Sequence, residues 1–529
     1  LHLSEEYARA TPYGEPVVFG MLGVLAALGH LADRQDRLLQ RLSVEFRNPL
    51  VVGMPYRLEA LETSVERACV KLYDATRLML KATFTFVPRC EKSWDMHVPE
   101  AACFTEAEDR KKEDLPAGTR VTGVYGPAIS ELVQVITRWR LSEKGATTRQ
   151  LAAMLWASFV VGMQLPGKRA VFWRLELTLY PEDGPQDTLL SYDAAVQDFD
   201  ERFDLLHSAG TLSAAGTRCA TADMWAFVRQ DSPQPSLRRL TDLIPRSDRL
   251  KGQVALVIGG SRGLGAAITQ ALASQGCTVF LNYHQCRAEA EKIRASLGDT
   301  SSLIELAQGD ASEIEWCRTL RQRIVERYGG LDLLIGNASP PIRPLSFVPE
   351  KLAQFQNFLT QSVSVASMPM STFLSDLSQR SGWHVLVSSA FVKDRPAEWP
   401  HYVTAKCAIE GLVQWAAVHS PKVRTLIVRP PKLLTDQTNT TVGRQGAMEV
   451  ERAAAADARL ISIGKPAAIH HHRRQRLGRE TRQRHLRVRG IRQAHGGDLA
   501  VAPRLLFDPL HGVITVFTVA QIFDELAFG

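Results

Sequence analysis

The sequence predicts two fold classes in series: an α+β region of helices laid against long antiparallel strands over residues 1 to about 245, then an α/β doubly wound parallel sheet from Gly252. Three features carry that expectation. A helix followed by long alternating strands occurs twice in the first region. Strand and helix alternate singly in the second. A glycine-rich turn joins the first strand of that second region to its helix. At 529 residues the chain exceeds the roughly 250 to 300 at which one core stops growing, so two to four domains are expected. With 45% hydrophobic and 22% charged residues it is neither disordered, collagen-like nor membrane-spanning in composition.

In the first copy, the apolar helix 'VVFGMLGVLAALGHLA' leads into a strand where Leu42, Val44 and Phe46 alternate with Arg41, Ser43, Glu45 and Arg47. A second strand, 'RLMLKATFTFV', sets Leu80, Ala82, Phe84 and Phe86 on one face. In the second copy, 'TRQLAAMLWASFVVGMQLPG' leads into 'AVFWRLELTLY', with Val171, Trp173, Leu175, Leu177 and Leu179 expected on one face. The acidic stretch 'TEAEDRKKEDLPAG' separates the copies. 'RQDSPQPSLRRLTDLIPRSDRL' reads as a linker. Six strands follow: 'QVALVIGG', 'TVFLNY', 'LIELAQ', 'LDLLIGN', 'WHVLVSS' and 'VRTLIVR', with helices between them. The pattern stops near Pro466, beyond which only a short strand and an amphipathic helix in 'GVITVFTVAQIFDELAFG' are expected.

The net charge of +7 is local in origin, because residues 470–497 hold nine Arg and one Glu and the remainder is close to neutral. That stretch has no lysine, no aromatic residue and no sustained apolar period, so no nucleic-acid partner is expected. It reads as a disordered basic segment or as translation of a shifted frame, the second being preferred. The eight cysteines form no CxxC pair, so no metal site and no disulfide framework is expected, and a reducing cytoplasm fits best. The first residue is Leu1, with no basic segment followed by an apolar one, which reads as a start inside a longer polypeptide.

Two constellations carry chemistry. The first strand of the α/β region runs into 'GGSRGLGAAITQAL'. Gly259 permits the tight turn, Gly263 lets backbone amides approach a pyrophosphate, and Gly265 allows helix and strand to pack closely, with Ser261, Arg262 and Leu264 between them. Further on, 'GNAS' ends the fourth strand, bringing Asn337 and Ala338 to the same end of the sheet. Ser389 ends the fifth strand, and 'YVTAK' places Tyr402 and Lys406 four apart on one helical face.

These motifs resemble the short-chain dehydrogenase/reductase family over about residues 250 to 440, and the Ser389-to-Tyr402 spacing of thirteen matches it. The resemblance implies a Rossmann-type sheet and three catalytic roles. Tyr402 would donate a proton to a carbonyl oxygen, Lys406 would lower its pKa and hold the ribose, and Ser389 would polarise the carbonyl. The second strand ends in Asn282, Tyr283 and His284, with no acid to repel a 2′-phosphate, and Arg262 could meet that phosphate, so NADPH is preferred. Asp310 resembles the family's adenine-side aspartate. Two positions depart from the pattern: Ser362 stands where the family has a structural asparagine, and Pro430-Pro431 replaces Pro-Gly.

The opening 'LHLSEEYARATPYGEPVVFGML' resembles the motif of R-specific enoyl-CoA hydratases, the MaoC-like hot-dog proteins. With the second copy, it implies a double hot-dog. His2 would be the catalytic histidine and Gly20 the glycine whose amide polarises the thioester. The family's aspartate would precede Leu1, and Phe19 stands where another histidine is frequent.

The organisation expected is therefore an α+β double hot-dog followed by an α/β Rossmann-type doubly wound parallel sheet. Its parts are a first hot-dog at 1–110, a degenerate second at 111–235, a linker at 236–250, a reductase domain at 251–465 and an unassigned tail at 466–529. The expected activity is NADPH-dependent reduction of a 3-oxoacyl thioester on acyl carrier protein or CoA by a cytoplasmic homo-oligomer, with no membrane partner. The alternatives are a noncatalytic acyl-binding or scaffold fragment and a reductase of another carbonyl compound.

Overall fold

The computed structural model describes residues 4–9, 11–89, 106–180, 189–231, 233–463, 506–508 and 513–516. The chain divides into two compact units. One comprises Leu1–Pro233, Pro341–Phe355 and Leu434–Gly446; the other comprises Gln234–Pro340, Gln356–Leu433 and Ala447–Gly529.

The first unit is built on strands β1 (Arg37–Phe46), β2 (Arg57–Ser64), β3 (Arg67–Asp74), β4 (Arg77–Pro88), β5 (Arg120–Tyr125), β6 (Ala170–Leu179), β7 (Leu190–Asp200), β8 (Leu205–Ala214) and β9 (Thr217–Val228). They form one sheet in the order β2-β3-β4-β1-β6-β9-β8-β7-β5. Every pairing within it is antiparallel. The order β2-β3-β4-β1 is repeated as β7-β8-β9-β6, and the two halves join where Val44 of β1 faces Leu175 of β6.

Each half carries its own apolar helix. Met21, Val24, Leu25 and Leu28 of the Gly20–Gly29 helix are buried in one core with Leu151, Ala152 and Trp156 of the Thr148–Phe159 helix. The second helix begins in a capping box: Thr147 Oγ1 accepts from the Gln150 amide at 3.2 Å, and Gln150 Oε1 accepts from the Thr147 amide at 3.0 Å. Leu80, Ala82, Phe84 and Phe86 of β4 all point into that core, as their alternation predicts. On β6 the alternation slips. A bulge between Phe172 and Arg174 reverses the faces, so Ala170 and Phe172 pack on the core while Trp173 lies against Phe227 at 5.7 Å. Val171 and Trp173 therefore do not share the buried face of Leu175, Leu177 and Leu179.

The second unit holds β10 (Val254–Ile258), β11 (Thr278–Tyr283), β12 (Ile304–Gln308), β13 (Leu333–Gly336), β14 (Trp383–Val387), β15 (Arg424–Val428), β16 (Leu506–Asp508) and β17 (Val513–Val516). Their order is β12-β11-β10-β13-β14-β15-β17-β16. The sheet is parallel except at the terminal β16–β17 pair. Strands covered on both faces are predominantly apolar, and β10 and β14 are buried at every position. The direction of winding reverses between β10 and β13, which opens a crevice at their carboxyl ends.

One expectation changes and one holds. The stretch read as a linker forms a helix at Leu237–Leu243, and Leu240, Ile244 and Leu250 are buried in the core of the second unit. Its Pro and Ser residues flank a short amphipathic turn whose leucines have a core to enter. The strand foreseen in the tail exists at Val513–Val516 and extends the sheet beside β15. The Arg-rich stretch 470–497 lies outside the described residues.

Candidate functional site

The carboxyl ends of β10, β13 and β14 bring the predicted residues of the second unit together. β10 runs into Gly259, whose φ of +72° is a left-handed conformation that favours glycine. A side chain there would press on Ala338, its Cβ 3.0 Å from that of Ala338. At Gly265 a Cβ would lie 2.1 Å from the Gly259 carbonyl oxygen and 2.6 Å from Asn337 Nδ2, so only hydrogen fits. Asn337 Nδ2 donates to that same carbonyl at 3.0 Å. Asn337 and Ala338 thus brace the glycine turn.

The Gly263–Ser274 helix starts here with Arg262 as its N-cap, and no side chain caps it. Its first amides face the crevice end of the sheet, a cradle suited to a phosphate. Ser261 and Leu264 are buried beside it.

Asn282, at the end of β11, is 4% exposed. Its Oδ1 accepts from the Gly259 amide at 3.2 Å, while its Nδ2 donates to the carbonyls of Ala307 at 3.2 Å and Gly309 at 3.0 Å. It turns inward and ties three strand ends together, a role its place in the sequence did not reveal. Asp310 accepts from the Ser312 amide at 2.8 Å and from its hydroxyl at 2.7 Å. Burial opposes the Asp310 carboxylate, but the Ser312 bonds and nearby His284 outweigh it and hold the carboxyl below its usual range.

Ser389 follows β14, and its Oγ accepts from the Phe391 amide at 3.2 Å. Tyr402 lies in the first turn of the Pro400–His419 helix, which begins with Pro at its first position. Burial raises the Tyr402 phenol above its ordinary range, while the nearby Ser389 hydroxyl acts the other way. Lys406, one turn on, is 5% exposed and donates to the Val387 carbonyl at 2.9 Å. Its Nζ lies 5.7 Å from the centre of the Tyr402 ring. Burial lowers Lys406 to about 8 against the opposing pull of the Glu410 carboxylate. Tyr402, Ser389 and the buried Lys406 thus share one corner of the crevice.

Ser362 lies in the Leu352–Gln379 helix, buried, and its Oγ has no hydrogen-bond partner among the described residues. Sequence reasoning missed Ser388, Glu410 and Arg429, which form a buried polar cluster beneath Lys406. A glutamate four residues after Lys406 on the same face was the available signal.

In the first unit Gly20 opens its helix, behind Phe19 as N-cap, and a Cβ there would lie 2.9 Å from the Phe46 ring. His2 lies outside the described residues. Among the described residues, no group of His, Cys, Asp and Glu could hold a metal ion, and no helix is long and apolar enough to cross a membrane.

Residues 253–445 match the family model of short chain dehydrogenases. An uncharacterized oxidoreductase of Mycobacterium tuberculosis is 28% identical over 228 residues, 38% of this chain and 67% of that protein. An uncharacterized oxidoreductase of Methylorubrum extorquens is 28% identical over 42% of this chain and 88% of its own length. A hydroxynaphthalene reductase-like protein of Metarhizium acridum is 24% identical over 43% and 88%. Among solved structures, an alcohol dehydrogenase from the archaeon Thermococcus sibiricus, complexed with 5-hydroxy-NADP, is 23% identical over 39% of this chain and 89% of that one, with a TM-score of 0.36.

Proposed function

From a short-chain dehydrogenase/reductase domain at residues 253–445, a family of nicotinamide-dependent oxidoreductases, we propose that the chain reduces the keto group of a 3-oxoacyl thioester with NADPH. The observation that carries the reading is the placing of Tyr402 and Lys406 one turn apart on one helix, with Lys406 buried and its Nζ 5.7 Å from the Tyr402 ring centre, next to Ser389 at the end of β14. The glycine turn and the uncapped Gly263–Ser274 helix would hold the cofactor's pyrophosphate, with Arg262 beside the 2′-phosphate and Asp310 toward the adenine. The cofactor's nicotinamide supplies the hydride. Tyr402 gives its phenolic proton to the carbonyl oxygen, Ser389 Oγ donates a hydrogen bond to that oxygen, and the Lys406 cation favours the phenolate left behind. NADPH is preferred because β11 ends without an acid.

The thioester substrate, on acyl carrier protein or CoA, rests on the first unit. Its helix-and-strand order, repeated in both halves, supports a double hot-dog of the MaoC-like kind, with His2 and Gly20 as catalytic remnants of a hydratase. Trp415 is 55% and Val418 45% exposed on the Pro400–His419 helix, an apolar face that supports a homo-oligomer. The proposed location is the cytoplasm. A second reading, reduction of an aromatic ketone, is favoured by the hydroxynaphthalene reductase-like relative.

NADPH absorbance with a 3-oxoacyl thioester and with an aromatic ketone, for the chain and for Tyr402→Phe, tests these readings. Turnover of the thioester that the substitution removes supports the first. Turnover of the aromatic ketone alone supports the second. Absence of NADPH binding points to a noncatalytic scaffold.

A further inference from the structure

The face of the Pro400–His419 helix that presents Tyr402 and Lys406 continues four residues on to Glu410, 4% exposed. Its carboxylate accepts a hydrogen bond from the Ser388 hydroxyl and a two-point contact from Arg429, with Nε to Oε1 at 2.8 Å. These partners sit at two strand ends. Ser388 immediately precedes Ser389, and Arg429 immediately precedes Pro430-Pro431. The strand ends are also joined directly: the Ser388 amide donates to Val428 O at 2.7 Å, and the Ala390 amide donates to Pro430 O at 3.0 Å. One buried carboxylate therefore fastens the Ser389 segment and the Pro430 segment to the helix that carries the proton donor.

The same carboxylate sets the charge around Lys406. The groups near that ammonium are the Tyr402 ring, Glu410 on its own helix, Arg429 reaching Glu410 from the end of β15, and the Cys407 thiol close to Arg429. They amount to two cations sharing one anion. Burial works against the charged form of Lys406, and the Glu410 carboxylate, one turn on along the same helix face, is the group that opposes this.

We propose that Glu410, held by Arg429 and Ser388, is a positioning residue for the reduction: it fixes both strand ends against the Tyr402 helix and is the counter-charge that keeps Lys406 a cation at neutral pH. This role rests on the reductase reading above. Arg429 offsets part of the Glu410 charge, so the two residues act on Lys406 in opposite directions. Without the carboxylate, Lys406 faces the Arg429 charge; without Arg429, it faces an unshared carboxylate.

The test is the pH dependence of kcat/KM for ketone-dependent NADPH oxidation by the full chain, with NADPH binding followed by fluorescence. Glu410→Gln is expected to move the alkaline limb to lower pH by about one unit, a size ordinary for loss of a neighbouring charge. Arg429→Met is expected to move it to higher pH, and Arg429→Lys, which keeps the charge, to leave it in place. A purely structural role would not produce opposite displacements. Shifts in the same direction, or an unmoved limb in Glu410→Gln with turnover retained, overturn the proposal. If Arg429→Met does not fold, Glu410→Gln against Arg429→Lys decides. A parent chain that neither binds NADPH nor reduces any ketone refutes the reductase reading itself, and the role of Glu410 goes with it.

Discussion

The two sheets handle polar groups differently. In the antiparallel unit, Arg34 and Lys144 are buried at the ends of elements and each meets a more exposed carboxylate, Glu62 at 2.8 Å and Asp33 at 2.6 Å, while the strand core is apolar. In the parallel unit, ionisable groups stand inside the layers themselves. Lys406 and Glu410 are partnered, His384 faces an apolar cavity lined by Leu334, Pro369 and Leu412, and both Asp457 oxygens lack partners among the described residues. The lesson is that burial of charge marks chemistry only where partners are arranged around it. Asp457 and His384 are buried as deeply as Lys406 and have no comparable cluster.

Four substitutions sharpen or break that contrast. The largest effect is expected at Tyr402→Phe, which should cut kcat about 10²- to 10⁴-fold while NADPH binding persists. Loss of binding instead would make Tyr402 a packing residue. Next comes Phe84→Ala in the antiparallel core, which should cost about 3–5 kcal/mol in denaturant titration. That cost should be equal at pH 5 and pH 8, because no titrating group is involved.

Asp457→Leu should do the reverse and stabilise. Burial raises Asp457 to about 8 in the fold, so the stability it allows is full below the unfolded carboxyl range and is lost as pH rises through about 8. The substitution should therefore gain on the order of 2 kcal/mol at pH 8 and much less at pH 4. An equal gain at both would show that the carboxyl is not held protonated. The smallest effect belongs to His384→Leu. Burial lowers His384 to about 4, so its stability is present above the unfolded value and lost as pH falls toward 4. The variant should unfold with about 1 kcal/mol less acid sensitivity near pH 5, read from urea midpoints at pH 5 and 7.

Much of the second sheet was legible in the sequence, since strands in a parallel sheet are rich in Val, Ile and Leu and each of the six such segments became a strand. The positions of Tyr402, Lys406 and Ser389 were legible too, because Tyr402 and Lys406 are local on one helix and Ser389 follows an obvious strand. The bulge in β6 was not, since 'AVFW' is apolar at every position and leaves open which of Phe172 and Trp173 turns inward. Glu410 with Arg429 joins residues nineteen apart through the fold, and neither is unusual in its own segment. The strands β7 to β9 carry Ser, Thr, Gly and Asp among their apolar residues, which weakens their period.

Asn282 has a consequence for redesigning nucleotide preference. The end of β11 is the natural place to install an acid that would reject a 2′-phosphate. At 282, however, a carboxylate would have no hydrogen to offer the Ala307 and Gly309 carbonyls, and would set oxygen against oxygen under the glycine turn. Redesign would have to begin at His284, two residues on, whose side chain is 60% exposed. Asn282 is thus a joint of the framework, tying the ends of β10, β11 and β12 together.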